Sequence, residues 1–297
     1  MVEAHNERYE PLSFERAMKR FRLLSACMLA FALIGCDDDG VLGENVIPLA
    51  SIHWVNAVPD TGEMDYRVVD IASNAGMFDA VFRISEMFPE PIEAGQRRIR
   101  AFMSSTDAAI ASTVMIDTTI TLTQNTAQTF IHTGFTRPGQ TPGDVILLVP
   151  EAPPTPGAAA IGVRVIHAGA GMGNVDVNVT RRAADTLPDM ALFANVAYGG
   201  AMGYLTVPSD TVGADSVRIV VTAAGTKTPV LVTLKAPAGS AGTSTTNPIA
   251  GARIAGSVLT AIVVPASVVG SAAPQGGAFA APGVVYLVDR RPPNTAN

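Results

Sequence analysis

The sequence contains little cysteine, few aromatic residues and little charge. Its 297 residues include two cysteines, Cys27 and Cys36, and aromatic residues make up 6%. No cysteine follows Cys36, so the rest of the chain has no disulfide and no thiolate for a cysteine nucleophile or a metal site. Its fold must therefore depend on core packing alone.

Charged residues are few, and the acidic ones outnumber the basic ones, so the formal net charge is −6. Nucleic-acid binding needs a basic surface, so we expect no nucleic-acid partner. The basic cluster formed by Arg97, Arg98 and Arg100 is interpreted as the solvated face of a strand.

The four histidines, His5, His53, His132 and His167, are far apart in the sequence. None has a second histidine three or four residues away, so zinc-type spacing is absent. The sequence therefore predicts no metal and no cofactor.

The N-terminal region has the pattern of an export signal. A basic segment begins at Met18, an apolar run of 13 residues extends from Leu23 to Gly35, and Cys36 follows. A helix that spans a bilayer needs about 20 apolar residues, so this run is typical of a cleaved signal peptide.

Residues 33–36, Leu-Ile-Gly-Cys, resemble the lipobox of bacterial lipoproteins. The resemblance implies cleavage before Cys36 and attachment of lipid to its thiol. A competing match that ends at Cys27 follows the basic residues too closely. We therefore expect a signal peptide over residues 1–35, a lipidated tether over 36–48, and a membrane-anchored protein of the cell envelope. The choice between inner and outer membrane stays open.

The first 17 residues are unusual for a signal because they contain four glutamates, at positions 3, 7, 10 and 15. Translation from Met18 gives a signal of ordinary length and charge. We therefore hypothesise that Met18 is the true start.

The remaining chain is predicted to be all-β. It is interrupted by many of the 27 glycines and 21 prolines, and between them lie short β-branched or alternating segments. Such segments with frequent turns are typical of sandwiches and barrels. The clearest strand predictions are Thr119–Thr123, Val145–Val149, Val217–Thr222, Val230–Leu234, Val258–Val264 and Val284–Val288.

An internal repeat indicates two tandem domains. Residues 52–57 align with 163–168 at an offset of 111, and residues 143–149 resemble 283–289. We therefore predict two immunoglobulin-like antiparallel β-sandwiches. Their predicted boundaries are 49–152 for the first domain, 153–160 for a Pro-rich linker, 161–291 for the second domain and 292–297 for a tail. Residues 236–251 and 265–283 are predicted to be long exposed loops.

The second copy resembles domain-of-unknown-function family 4397 (DUF4397). The resemblance rests on Val163–Ala168, Val175–Val179, Phe193–Tyr198 and Tyr204–Pro208. It implies an exported, often anchored protein with immunoglobulin-like sandwiches, and it implies no activity. The matching motif positions are His167, Asp176 and Tyr204, with Asp65 as the counterpart of Asp176. Asn56 stands in the first copy where the second has His167.

His167 and Asp176 are the sharpest candidate for chemistry, because a His–Asp pair orients a general base. No serine lies in a Gly-x-Ser-x-Gly turn, however. We favour the interpretation that both residues are structural, so no catalytic residue is predicted. An aromatic platform for sugar is a further alternative to core packing, and its candidates are Trp54, Tyr66, Phe102 and Phe130.

These features predict a lipid-anchored, non-catalytic binding or structural module. The expected partners are the membrane, through the lipid, and an envelope protein or glycan. Two alternatives are an envelope hydrolase that uses His167 and Asp176, and an accessory component of a surface assembly or secretion system.

Overall fold

A computed structural model describes residues 46–73, 75–210 and 216–295. The predicted signal peptide and Cys36 lie outside the described residues. Sixteen strands are described, together with one helical turn, α1 (Ala108–Ala111), and a 3₁₀ turn at Gly277–Phe279. The strands are β1 (Leu49–Ala57), β2 (Met64–Val68), β3 (Gly76–Ala80), β4 (Glu90–Glu93), β5 (Gly95–Met103), β6 (Val114–Leu122), β7 (Ala127–Thr133), β8 (Val145–Glu151), β9 (Ala160–His167), β10 (Val175–Thr180), β11 (Phe193–Val196), β12 (Leu205–Pro208), β13 (Arg218–Ala223), β14 (Val230–Lys235), β15 (Val258–Val264) and β16 (Gly283–Arg290).

The strands form four sheets of four strands each. Sheet I has the order β4-β1-β7-β8 and sheet II the order β3-β2-β5-β6. Sheet III has the order β12-β9-β15-β16 and sheet IV the order β11-β10-β13-β14. Each strand of the first half therefore has its counterpart eight strands later. The predicted all-β sandwich fold is confirmed.

One pair in each half runs parallel: β1 with β7, and β9 with β15. All other strand pairs described are antiparallel. The parallel pair brings the first strand of each half beside its seventh.

Sheets I and II enclose the first core, and sheets III and IV enclose the second. Trp54 and Phe130 of sheet I pack with Tyr66 of sheet II, and all three are buried. The prediction that these aromatic residues are core is therefore confirmed. Phe102 is only half-buried, and its ring lies 5.5 Å from the Arg67 guanidinium.

A third apolar cluster joins the two sandwiches. It is formed by sheets I and III, and its members include Val55, Ile131, Ile166, Ile262 and Leu287. Because side chains alternate across a strand, Trp54 faces the first core while Val55 faces sheet III. The central strands of sheets I and III, β1, β7, β9 and β15, are consequently buried on both faces along most of their length. The chain from Pro48 onwards forms one compact unit.

The segment between β15 and β16, predicted to be an exposed loop, contacts the first sandwich. The Arg83 guanidinium donates to three backbone carbonyls of this segment, those of Pro265, Ala278 and Ala281. The Val268 N–H donates to the Pro59 carbonyl at 2.8 Å. Many residues of this segment are exposed, and these contacts connect its backbone to the first sandwich.

Over the ranges that the structure covers, we find no helix of the length and apolar character needed to cross a bilayer.

The interface between sheets I and III predicts that the two sandwiches unfold together. Ile262 is completely buried there, so Ile262→Ala is expected to lower the free energy of unfolding by about 2–5 kcal/mol. Calorimetry should show one transition for both halves, shifted to lower temperature. Ile249→Ala, at a position 53% exposed, is the matched control, with an expected change within about 0.5 kcal/mol. Two separate transitions in the wild type would contradict this interface.

Candidate functional site

His167 is the last residue of β9, and its ring is buried. The Gly169 N–H donates to Nδ1 at 3.1 Å, which leaves Nε2 to donate to the Gly173 carbonyl at 2.7 Å. This tautomer is assigned from the hydrogen-bond pattern. Burial lowers the pKa of His167, and the hydrogen bond to Gly173 offsets this only in part. A neutral imidazole therefore closes the glycine-rich turn.

Asp176 lies on β10 and holds backbone amides on both sides of its strand. One carboxylate oxygen accepts from the Asn195 N–H at 2.7 Å, and the other accepts from the Gly225 N–H at 2.8 Å. Both donors have positive φ, 51° and 74°, so the carboxylate stabilises two tight backbone conformations. Within the described residues, no hydrogen bond or ion pair joins Asp176 to His167.

In the first copy, Asn56 and Asp65 accept backbone N–H groups as His167 and Asp176 do in the second. The Asn56 side-chain oxygen accepts from the Val58 N–H at 3.0 Å. In the second copy the His167 ring likewise accepts from the N–H of the residue two positions later, Gly169. An Asp65 oxygen accepts from the N–H of Asp79, whose φ of 49° matches that of Asn195. The shared geometry supports a role in holding the backbone at these equivalent positions of the two copies.

Tyr204 contacts a polar cluster between sheets I and III. Its hydroxyl donates to an Asp289 oxygen at 2.9 Å, and the Arg164 guanidinium lies 4.8 Å from the centre of its ring. Burial raises the pKa of Tyr204, and the neighbouring Asp289 charge raises it further. The phenol therefore acts as a neutral donor.

We call this group of polar side chains the interface cluster. Its members come from six strands and from the segment before β12: His53, Thr129, Glu151, Arg164, Tyr204, Thr260 and Asp289.

On the sheet I side of the interface cluster, Glu151 is the central acceptor. His53 Nδ1 lies 2.8 Å from Glu151 Oε1, and the Thr129 hydroxyl donates to the same oxygen at 2.6 Å. Arg164 then donates to the Thr129 hydroxyl at 3.1 Å and to the Pro150 carbonyl at 2.9 Å. This arrangement bonds a guanidinium of sheet III directly to sheet I.

On the sheet III side, Arg164 and Asp289 share Thr260. The Arg164 Nε donates to the Thr260 hydroxyl at 2.6 Å, and that hydroxyl donates to Asp289 Oδ2. Burial raises the pKa of Asp289 to about 6, opposed by Arg164 and reinforced by the Glu151 charge. Burial also opposes ionisation of Glu151, but the hydrogen bond and charge of His53 outweigh it, so the pKa of Glu151 is lowered. The two carboxyls therefore differ in acidity.

Sequence reasoning did not identify the interface cluster. Its carboxylates and histidine lie at positions 53, 151 and 289, far apart in the chain. One signal was present: His53 and Arg164 occupy equivalent positions of the repeat, and each has an apolar residue on either side in the sequence. A polar residue at the same place in both copies indicates a second buried face.

A small apolar groove of about 280 Å³ opens on the second sandwich, beside β10 and β12. Its exposed lining includes Met190, which is 79% exposed, and Leu192. Asn178 and Arg181 also line the groove.

Comparisons with known proteins give little support for a name. No protein-family model matches the chain, and no curated protein matches it. One similar solved structure is the crystal structure of a "Putative cell adhesion protein" from Parabacteroides distasonis, with 7% identity and a TM-score of 0.17. The match covers 82% of this chain and 99% of that one. A TM-score this low carries no argument, so the resemblance to family 4397 stays a prediction.

The turn at His167 predicts different outcomes for two substitutions. His167→Ala leaves the Gly169 N–H and the Gly173 carbonyl without their side-chain partner, at an expected cost of about 1–3 kcal/mol in unfolding free energy. His167→Asn supplies the acceptor that Asn56 provides in the first copy, so the expected loss is smaller. Chemical denaturation of the two variants and the wild type measures the difference.

The same variants report on pH. Because the folded-state pKa of His167 is lowered, the unfolded chain binds a proton that the folded chain does not as pH falls below about 6.5. The stability that depends on a neutral His167 is therefore fully present above about pH 6.5, and it is lost as the pH falls towards the lowered pKa of His167. His167→Asn should therefore flatten the pH dependence of stability between about 7 and 5. The remaining slope includes His132, whose pKa is also lowered by burial. A slope unchanged in His167→Asn would contradict this assignment.

Proposed function

We propose that this chain is a lipid-anchored protein of the bacterial cell envelope that acts as a non-catalytic binding or structural module. The observation that carries the proposal is the engagement of His167 and Asp176. Both ring nitrogens and both carboxylate oxygens are bonded to backbone groups of neighbouring turns.

A hydrolase would require His167 to exchange a proton with a substrate. General-base catalysis works best when the pKa of the base lies near the working pH. Burial moves the pKa of His167 in the unfavourable direction, and its Nδ1 lone pair already accepts a backbone N–H. A structural role for the pair is therefore the better explanation.

The proposed anchor rests on the sequence around Cys36, which has the lipobox pattern after a basic and an apolar segment. A single acyl chain binds membranes only marginally, whereas several chains on one residue hold a protein firmly. The β-sandwich unit would then lie close to the membrane, because β1 begins at Leu49.

Lipidation predicts a clear difference between the two cysteines. Cys36→Ser is expected to abolish labelling by a fatty-acid analogue in cells and to move the protein from the detergent phase to the aqueous phase. Cys27→Ser is the matched control, since this residue lies within the predicted signal, and it should leave both properties unchanged. Labelling that survives Cys36→Ser, or that is lost in Cys27→Ser, would contradict the proposed anchor site.

A binding role predicts a specific partner in the envelope. Cross-linking in intact cells, followed by purification of the full-length protein, is expected to recover a defined envelope protein or glycan. Recovery should be equal for the wild type and His167→Asn, because the side chain is buried. Turnover of an envelope substrate that disappears in His167→Asn would instead support a hydrolase. Recovery of no partner would count against a binding role.

A further inference from the structure

Three residues of the interface cluster form a set of metal-ligand type. His53 comes from β1, Glu151 from the end of β8 and Asp289 from β16. Each offers one ligand atom, and the three atoms lie within 4.8 Å of one another. The set thus takes members from both sandwiches.

All three side chains are fully shielded from solvent, with an exposed fraction of 0%. Each also has one polar atom without a hydrogen-bond partner: His53 Nε2, Glu151 Oε2 and Asp289 Oδ1. A buried polar atom without a partner is costly, and native structures contain few of them. Each of the three side chains therefore keeps one atom that its neighbours in the cluster do not engage.

In each of the two carboxylates, one oxygen is hydrogen-bonded and the other has no partner. In Glu151, Oε1 accepts from a threonine hydroxyl while Oε2 has no partner. In Asp289, Oδ2 accepts from Thr260 and Tyr204 while Oδ1 has no partner. Hydroxyl donors that fix one oxygen of a carboxylate are a common outer shell around ligating carboxylates.

Arg164 is the one arginine or lysine of the interface cluster. Arg164 lies 3.9 Å from Glu151 Oε1 and 3.7 Å from Asp289 Oδ2, and so it faces the oxygens that already have hydroxyl partners. One guanidinium is shared between two buried carboxylates. Buried charge without compensation is unfavourable, so a second cation would stabilise the group.

We propose that His53, Glu151 and Asp289 bind one divalent cation between sheets I and III. One imidazole nitrogen and two carboxylate oxygens are donors that Zn²⁺ accepts. Zn²⁺ holds such ligands at about 2.0–2.2 Å, so the three ligand atoms, which now lie within 4.8 Å of one another, would move closer together when the ion binds. The ion would join the two sandwiches as a structural site, and it is independent of the proposed lipid anchor.

The test uses the chain as the cell makes it, purified without a histidine tag and stripped of metal by a chelator. Titration with Zn²⁺ alone is expected to show one ion bound per chain and a rise in the midpoint of thermal unfolding. Glu151→Gln and Asp289→Asn should each weaken the affinity by at least about tenfold.

His132→Gln is the matched control. His132 is also a buried histidine, but its ring nitrogens face Tyr66 and Asp144, away from the cluster. Its substitution should leave Zn²⁺ binding unchanged. Equal affinity in the wild type, Glu151→Gln and Asp289→Asn would place the ion elsewhere and overturn the proposal.

A measurement on the wild type avoids dependence on variants that fail to fold. X-ray absorption of the Zn²⁺-loaded protein is expected to show a first shell of nitrogen and oxygen at about 2.0–2.2 Å, with an imidazole contribution. No stoichiometric binding of Zn²⁺, Co²⁺ or Mn²⁺ by the folded protein would overturn the proposal.

Discussion

Burial of both faces of the central strands in sheets I and III is the constraint on which the rest of this structure depends. A sandwich ordinarily leaves the outer face of each sheet in water, where polar side chains need no protein partner. Here the outer faces of two sheets cover one another through Val55, Ile131, Ile166 and Ile262. Any polar residue on those faces must find its partners within the protein. The interface cluster is the consequence, and its side chains bond mainly across or along the same interface.

The two halves use polar residues in a second, more local way. Asp176 and Asp65 each accept the N–H of a residue with positive φ in the neighbouring short strand. His167 and Asn56 each accept an N–H two residues further along. The residues that most resemble a catalytic set are thus those that hold turns in both copies. Histidine in one copy and asparagine in the other both supply the hydrogen-bond acceptor, but only histidine carries a titratable ring.

The fold was predictable from the sequence where a pattern is local. The period-two segments at Val145–Val149 and Val258–Val264 correspond to β8 and β15, and the offset of 111 residues relates β1 to β9. The strands β4, β11 and β12 are only four residues long, too short for an alternation to mark them. The stacking of sheet I on sheet III was not predictable either. It depends on contacts between residues such as Val55 and Ile262, which no local pattern relates. The ligand-type set at 53, 151 and 289 was hidden for the same reason.

The parallel pairs have a consequence for how the chain acquires its structure. In each half the first strand pairs with the seventh, as Ser51 with Ala127 and Val163 with Leu259. Contacts between residues so distant in sequence make folding slow, because the chain between the two central strands forms a long loop whose ends must meet before the strands can pair. The final strand, β16, supplies Val285 and Leu287 to the interface, so the two sandwiches complete their shared core only after the last strand has been added. A chain that is synthesised or exported with its N terminus first would therefore remain incompletely folded until almost all of it is present.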